Sequence, residues 1–506
     1  MSASDRIVFG TERLTWDVAD EHFLVVGATG GGKTTILRIL MKSTLEGPSY
    51  CPPRALVYDP KKEFLPLLQG LGREDDVRIL NPFDRRCAAW DMATDFPDPV
   101  SARQLATILV PEKQGGHENS AFFDNATRDL LTAVIVTLAE TATPGKWEFR
   151  DALLGVLYPA YLEALLSHER SRDGLVLGLN SRVKTVYLDA DAKTRDNIMA
   201  SVQARLGLYE PVASVWAQAL RSGEARRRFS LLEWSDSQDI LLLGNEELGR
   251  ASIDGINRAI FGRAAEVLLS LPAKDQTPRA ERTWIFLDEL REAGRIEGIG
   301  RLLNKGRAAG VTLALAFQDV EGLRDVYGGQ VAGEITGQCG TLAILRLSSP
   351  ETAKWAASLF GEYLAEEVTK DPTVSGPQVS IGTRTQTVER KNVYSSELMF
   401  LPKTSVNAGL TAYYKHSEQG PEAESRRTAD WARDIAPNLG RTGSVAAFLP
   451  HPSPSIFHLQ PWTQEDWERL GYEGEVPDYR SSPPKGSEEP GEPRHNAGPS
   501  SLLDED

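Results

Sequence analysis

Cysteine is scarce in this sequence of 506 residues, which contains only Cys51, Cys87 and Cys339, all far apart. This separation excludes a disulfide framework and gives no metal-ligand spacing, so a reducing compartment is expected. Long apolar runs are also lacking, because the most apolar helical stretch, 130–139, is about half of the roughly 20 residues that span a bilayer. No secretory signal pattern stands at the N-terminus.

Basic residues are not in excess either. The chain has 56 Lys and Arg against 71 Asp and Glu, a net charge of −15. This balance excludes a generally basic coat for nucleic acid, but DNA in a locally basic channel stays possible because binding follows the local field. The composition, 41% hydrophobic and 25% charged, is typical of a globular protein, which we expect to be cytoplasmic.

A glycine-rich loop joins a predicted strand at 23–26 to a predicted helix at 34–45. Glycines let backbone N–H groups turn toward phosphate oxygens, Lys33 reaches the β- and γ-phosphates, and the Thr34 hydroxyl binds Mg²⁺. The flanking strand and helix disfavour the alternative, a chance glycine turn. The predicted ATP-binding residues, a loop of the Walker A type, are Gly27, Ala28, Thr29, Gly30, Gly31, Gly32, Lys33, Thr34 and Thr35.

The rest of the chain alternates between strand and helix patterns. Alternation of this kind predicts a mostly parallel α/β sheet covered on both faces. Between 101 and 228 no strong strand pattern appears, so a helical insert is predicted there. Residues 371–390 are read either as a loop or as an exposed hairpin. Further strands are predicted at 55–58, 240–243, 284–287, 311–317 and 341–347.

Two acids, Asp288 and Glu289, follow the predicted strand at 284–287 in the manner of a Walker B motif. Asp288 would hold Mg²⁺, usually through water, and Glu289 would orient and deprotonate the attacking water. A GTPase-type switch positions water by other means, so this pair favours ATP hydrolysis. The alternative is a strand end with two solvated acids.

The strand at 311–317 carries a candidate residue at each end. Gln318 follows it, where a side-chain amide can contact the γ-phosphate or the lytic water. Arg307 precedes it and is a candidate arginine finger for a neighbouring subunit's nucleotide. The alternative for Arg307 is an ordinary solvated helix residue, and Arg346 is a second finger candidate.

Two further polar clusters have two readings each. Asp59-Pro60-Lys61 follows the strand at 55–58, at the sheet edge where ligands bind, or it is simply a turn. The run Arg226-Arg227-Arg228 contacts DNA phosphates, or it is a solvated charged face.

Taken together, these segments resemble the coupling-protein ATPases of conjugation and type IV secretion (TraD/TraG-like), within the FtsK/HerA group of DNA-pumping motors. The resemblance covers roughly residues 7–410, and its most specific parts are the two Walker motifs and the segment KGRAAGVTLALAFQ. It implies a RecA-like P-loop domain interrupted by an all-α domain, assembled as a homo-hexameric ring around DNA. It also implies Mg²⁺-dependent ATP hydrolysis with Arg307 as finger and Gln318 as nucleotide sensor.

The predicted boundaries follow from this reading. The RecA-like domain takes 1–100 and 231–475, and the inserted all-α domain takes 101–230. A disordered acidic tail, rich in Pro and Gly, takes 476–506.

The sequence also departs from the family. Most members begin with membrane-spanning helices, whereas this sequence begins almost at the nucleotide domain. We therefore expect no direct membrane insertion, and recruitment to the inner membrane would need a partner. Relaxosome or secretion-channel proteins are candidate partners. Lys62 stands where the family often has glycine.

Three functions are open at this point. The leading one is a translocase that delivers DNA, with or without attached protein, to a transfer apparatus. The second is a soluble HerA-like motor in repair or mobile-element defence. The third is an ATP-gated adaptor that docks protein substrates without pumping DNA.

Overall fold

A computed structural model describes residues 6–46, 52–112, 118–143, 145–167, 182–273, 277–375, 378–419 and 425–480. The strands in chain order are β1 (Ile7–Phe9), β2 (Glu12–Leu14), β3 (Phe23–Val26), β4 (Arg54–Asp59), β5 (Val77–Ile79), β6 (Ala89–Trp90), β7 (Arg228–Phe229), β8 (Ile240–Gly244), β9 (Thr283–Leu287), β10 (Val311–Phe317), β11 (Thr341–Ile344), β12 (Glu362–Ser375), β13 (Gln378–Lys391), β14 (Leu410–Lys415) and β15 (Arg426–Ala429).

Helices follow or precede most of these strands. The first, α1, is Lys33–Leu45. The other helices are Phe64–Gly70, Met92–Asp95, Pro99–Leu109, Glu118–Thr141, Phe149–Leu157, Pro159–Ser167, Ala192–Leu206, Glu210–Arg221, Leu231–Trp234, Arg250–Ser270, Ile299–Lys305, Val320–Tyr327, Gly329–Gly337, Pro350–Ser358, Ser395–Met399 and Gln464–Arg469. Among the described helices, none combines the length and apolar character that crossing a bilayer requires.

The centre of the molecule is a nine-stranded sheet in the order β15-β14-β11-β3-β10-β9-β4-β8-β5. From β11 to β5 neighbouring strands run parallel, while β14 pairs antiparallel with β11 and β15 pairs antiparallel with β14. The predicted α/β class with a mostly parallel sheet is confirmed. The strand predicted at 341–347 ends earlier, at Ile344, because Leu345 and Arg346 bond instead to the chain around the glycine loop.

Successive residues of each central strand pack into two different cores. Leu24 and Val26 face one core, and Phe23 and Val25 face the other. This split follows from the two-residue period of a strand, and burial on both faces explains why the strands read as unbroken apolar runs. The first core is continuous with the helical insert, which therefore lies against one face of the sheet.

Residues 454–472, which we name the C-terminal strap, cover the insert. Trp462 packs on Tyr161 with ring centroids 4.2 Å apart and donates a hydrogen bond to Asp151 at 2.9 Å. The Arg150 guanidinium donates to Asp466 at 3.0 Å. The predicted boundaries placed these residues in the second part of the nucleotide domain, whereas the structure shows them in contact with the insert.

Two other predictions from the sequence concern residues 371–390 and the C-terminal tail. Residues 371–375 and 378–390 belong to the antiparallel pair β12–β13, so the hairpin reading is confirmed and the loop reading is wrong. Of the predicted tail, residues 481–506 lie outside the described residues. The Tyr479 ring lies 5.5 Å from that of Tyr158 in the insert.

Candidate functional site

The glycine-rich loop follows β3 and is bonded to the chain at the ends of β10 and β11, the strands on either side of β3. The Ala28 N–H donates to the Arg346 carbonyl at 2.8 Å, and the Gly27 N–H donates to the Phe317 carbonyl at 3.3 Å. Gly30 and Gly32 have φ angles of 73° and 108°, a region that side chains disfavour. The first N–H groups of α1 have no partner within the helix, so loop and helix together form an anion cradle.

Lys33 and Thr34 open helix α1 and turn toward the acids that follow β9. The buried Lys33 ammonium donates to the Gly27 carbonyl at 2.9 Å and lies 4.0 Å from Glu289. Burial lowers the pKa of Lys33, and the charge of Glu289 opposes that shift. The Thr34 hydroxyl lies 3.3 Å from both carboxylate oxygens of Asp288.

Gln318 connects the loop to the second acid. Its amide N–H donates to Glu289 at 3.0 Å, and its amide oxygen accepts from the Thr29 hydroxyl at 2.9 Å. Because β9 and β10 are parallel neighbours, both strand ends meet at one sheet edge. Burial raises the pKa of Glu289, while the Gln318 hydrogen bond and the Lys33 charge act against this.

A small cavity borders this pair of residues. Its volume is about 250 Å³, and Arg250, Glu289 and Gln318 are among the residues that line it. The predicted catalytic and metal-binding residues Lys33, Thr34, Asp288, Glu289 and Gln318 thus come together in one place. Their roles remain predictions.

Lys61 is a member of this cluster that the sequence left undecided. Its ammonium lies 2.9 Å from Asp288, the acid that the Thr34 hydroxyl also faces. The pairing of β4 with β9 sets Tyr58 beside Leu287, which brings the chain after β4 next to Asp288. The cluster Asp59-Pro60-Lys61 is therefore a turn and also part of the site.

The side chain of Asp59 stabilises that turn. Its buried carboxylate accepts hydrogen bonds from the N–H groups of Glu63 and Phe64, at 3.0 and 2.7 Å. Burial raises the pKa of Asp59 to about 6, although these two hydrogen bonds act in the opposite direction.

Lys62, where the family often has glycine, adopts a φ of 61°. A side chain in this left-handed region costs about 1–2 kcal/mol. The Lys62 ammonium lies 2.6 Å from Glu246 and 3.8 Å from the centroid of the Phe448 ring. These two contacts hold the lysine in a conformation that glycine adopts freely.

Thr404 contacts the glycine loop, although no sequence pattern predicts this contact. Its hydroxyl donates to the Gly31 carbonyl at 2.6 Å, so the chain before β14 rests on the glycine loop. A threonine in a polar stretch far along the chain carries no motif, and only the fold reveals the contact.

The two candidate fingers lie at opposite edges of the sheet. Arg307, in the 3₁₀ turn before β10, is 74% exposed and lies 3.6 Å from Asp20. Strand β10 has seven residues, so Arg307 is about 20 Å from its own chain's glycine loop. Arg346 lies beside the loop of its own chain, to which it contributes a carbonyl. Neither finger role is tested by these positions.

The arginine run pairs with acids of the same chain. Arg226 lies 2.9 Å from Asp75, Arg227 lies 3.2 Å from Glu224, and Arg228 forms an ion pair with Asp91. The simple reading of a solvated charged face therefore misses these ion pairs. Contact with DNA stays a prediction.

The chain is similar in sequence to two curated proteins. Coupling protein TraD of Escherichia coli (strain K12) is 22% identical over 405 residues, which cover 78% of this chain and 51% of TraD. Conjugal transfer protein TraG of Rhizobium radiobacter is 21% identical over 393 residues, which cover 73% of this chain and 57% of TraG. The chain spans about half the length of these curated relatives.

Solved structures share the fold. The bacterial conjugative coupling protein TrwBdeltaN70, in its unbound monoclinic form, matches with a TM-score of 0.65 and 20% identity, over 89% of this chain and 92% of TrwBdeltaN70. The plasmid coupling protein TrwB in complex with ADP and Mg²⁺ matches with a TM-score of 0.64 and 22% identity, over 88% of this chain and 92% of TrwB.

A family model covers most of the chain. The model is described as the type IV secretion-system coupling protein DNA-binding domain, and it matches residues 6–423. The chain therefore belongs to the family of type IV secretion-system coupling proteins.

Proposed function

We propose that this chain is an ATP-hydrolysing DNA translocase that delivers DNA, or DNA with attached protein, to a conjugative or type IV secretion apparatus. The observation that carries the proposal is the buried cluster at the carboxyl edge of the sheet, where Lys33, Asp288, Glu289 and Gln318 converge. Both curated relatives are named for coupling or conjugal transfer, which favours delivery over repair or defence.

The residues present fit a nucleotide with Mg²⁺. The glycine loop and the start of α1 form an anion cradle with Lys33 at its floor. The Thr34 hydroxyl and the Asp288 carboxylate face each other, and oxygen donors of this kind suit Mg²⁺. Thr34 and Asp288 would hold the ion, which supplies charge neutralisation at the phosphates when bound.

Glu289 is the proposed general base for the attacking water. Burial raises the pKa of its carboxylate toward the working pH, which strengthens it as a proton acceptor. Gln318 holds one oxygen of Glu289 and contacts Thr29 of the loop, so it connects the base to the nucleotide cradle. Through this amide the state of the nucleotide would reach the rest of the subunit.

Arg307 is proposed to complete the site of a neighbouring subunit. It lies at the amino edge of the sheet, remote from its own loop, and most of its side chain is exposed. An arginine that stabilises charge on the transferred phosphoryl group must touch it. Only a second copy brings Arg307 to a glycine loop, which supports a ring; we propose a homo-hexamer with DNA in its channel.

The test is ATP turnover with and without single- or double-stranded DNA. We expect Lys33→Ala and Glu289→Gln to abolish DNA-stimulated turnover, because the first removes the phosphate contact and the second the base. The matched control is Glu297→Gln, which neutralises an exposed acid eight residues after Glu289. This variant should retain turnover. DNA-stimulated turnover that survives both site variants would contradict the assignment.

Movement on DNA separates a motor from an ATP-gated adaptor. The wild-type chain is expected to displace a roadblock from DNA only when ATP is hydrolysed. ATP turnover without displacement would favour an adaptor that docks protein substrates.

A further inference from the structure

The strongest unassigned feature of the site is a second lysine. Lys61 lies 2.9 Å from Asp288, whose carboxylate is 1% exposed, while the Lys61 side chain itself is 39% exposed. The acid is therefore fixed in the protein, and the lysine approaches it from the open side. Lys33, in contrast, is buried and bonded to its own loop.

The turn that carries Lys61 is anchored on both sides. Before it, the Asp59 carboxylate binds the N–H groups of Glu63 and Phe64. After it, Lys62 is held by Glu246 and Phe448. The backbone of Lys61 is thus fixed, while its long side chain keeps the freedom to change partner.

Charge explains why a lysine is useful here. Asp288 and Glu289 place two negative charges beside the cradle where a polyanion is expected. The Lys61 ammonium, 2.9 Å from Asp288, brings a positive charge to this acidic pair. Lys61 thereby offsets the negative charge of Asp288.

A divalent cation and Lys61 would compete for the same carboxylate, since both are cations that seek Asp288. We propose that Lys61 holds Asp288 in the nucleotide-free subunit and exchanges this partner for the terminal phosphate when nucleotide with Mg²⁺ enters. Lys61 would then be a second phosphate-binding lysine that distinguishes a triphosphate from a diphosphate. This inference rests on the proposed function of the site.

The test is a comparison of nucleotide binding by calorimetry, with Mg²⁺, for a non-hydrolysable ATP analogue and for ADP. If Lys61 contacts the terminal phosphate, Lys61→Met should raise the Kd of the ATP analogue by about tenfold or more, the usual effect of a lost hydrogen bond to a charged group. The Kd of ADP should change by less than about threefold. Binding is measured, so no turnover is needed.

Two further variants control for fold and charge. Lys61→Arg keeps the positive charge and should retain most of the preference for the ATP analogue. Lys354→Met, which removes an exposed lysine paired with Glu351, should leave both Kd values unchanged. Circular dichroism establishes that each variant is folded.

The outcomes separate this inference from the proposed function. Equal weakening of both nucleotides in Lys61→Met, or no weakening, would overturn the exchange while leaving the site intact. A wild-type chain that binds neither nucleotide would overturn the proposed function and the exchange together.

Discussion

The charged residues at the carboxyl edge of the central sheet differ in burial and pairing from those at the amino edge. At the carboxyl edge, Lys33, Asp288 and Glu289 are buried and placed against one another. At the amino edge, Arg307 is exposed and lies 3.6 Å from Asp20, which also pairs with the buried Arg282 at 2.8 Å. At the carboxyl edge the charged side chains pair with one another inside the chain. At the amino edge the Arg307 side chain is mostly exposed to solvent.

The difference separates substitutions that affect the fold from those that affect assembly. A buried charge that loses its partner costs several kcal/mol, whereas an exposed ion pair such as that of Arg307 contributes about 0–1 kcal/mol. Changes at the carboxyl edge therefore combine effects on stability and function. Changes at Arg307 should affect function alone.

The largest expected effect comes from the amino edge. Arg307→Ala should lower kcat by roughly 10³ to 10⁵, the usual contribution of an arginine finger, without changing the affinity for nucleotide. ATP turnover and nucleotide titration measure the two quantities. Arg324→Ala, which removes another exposed arginine paired with an acid, is the control.

Mixing variants tests whether the finger acts between subunits. Lys33→Ala and Arg307→Ala chains are each inactive, but a ring containing both has interfaces where an intact loop meets an intact finger. Turnover should recover partly on mixing. Absence of recovery in rings shown to contain both chains would mean that the two edges do not meet.

The next effect concerns the link between Gln318 and Glu289. The amide stabilises the Glu289 carboxylate and so lowers its pKa against the effect of burial. Gln318→Leu should raise this pKa, because the hydrogen bond that stabilises the charged carboxylate is lost. The acid limb of the kcat–pH profile should move to higher pH. An unmoved limb would remove Glu289 from the role of base.

The pH dependence of stability at Asp59 measures the free-energy cost of burying a carboxylate at the carboxyl edge. Its pKa is about 6 in the folded chain against 3.8 ordinarily, so folding is favoured when Asp59 is protonated and loses this contribution as pH rises through 6. Relative to Asp59→Asn, the wild type should be about 1.4 kcal/mol more stable at pH 5 than at pH 7.5. Urea unfolding at both pH values measures this difference. A difference independent of pH would show that Asp59 titrates normally.

The smallest effect is at Lys62. Lys62→Ala removes the contacts with Glu246 and Phe448 but keeps a side chain at a φ of 61°. Lys62→Gly removes the same contacts and relieves the strain, so it should be about 1 kcal/mol more stable than Lys62→Ala. Thermal unfolding of the two variants, compared with each other, isolates the backbone term. Equal stability would exclude strain at this position.

The sequence predicted the parts of the site that obey a local rule. A glycine loop between strand and helix, and acids at a strand end, each have a pattern within about ten residues, and Lys33 and Asp288 were found in this way. Lys61 and Thr404 were not assigned, because their contacts depend on which strands are neighbours and on the register between them. Composition and spacing carry no record of that register.

The arginine run and the strap show the same limit on a larger scale. Arg228 meets Asp91 and Trp462 meets Asp151 across 137 and 311 residues. Each looks in the sequence like an ordinary surface or aromatic residue, and only the packing of the insert gives it a partner.

The C-terminal strap also determines when the helical insert can finish folding during synthesis of the chain. Arg150 bonds to the carbonyl of Gln460, a residue 310 positions later in the chain. A ribosome adds about 5–20 residues per second, so the insert emerges roughly 15–60 s before its cover. During that interval the Tyr161 ring lacks its contact with Trp462. The helical insert is therefore completed only after residues 454–472 have been synthesised, and a chain truncated before them lacks the surface that closes it.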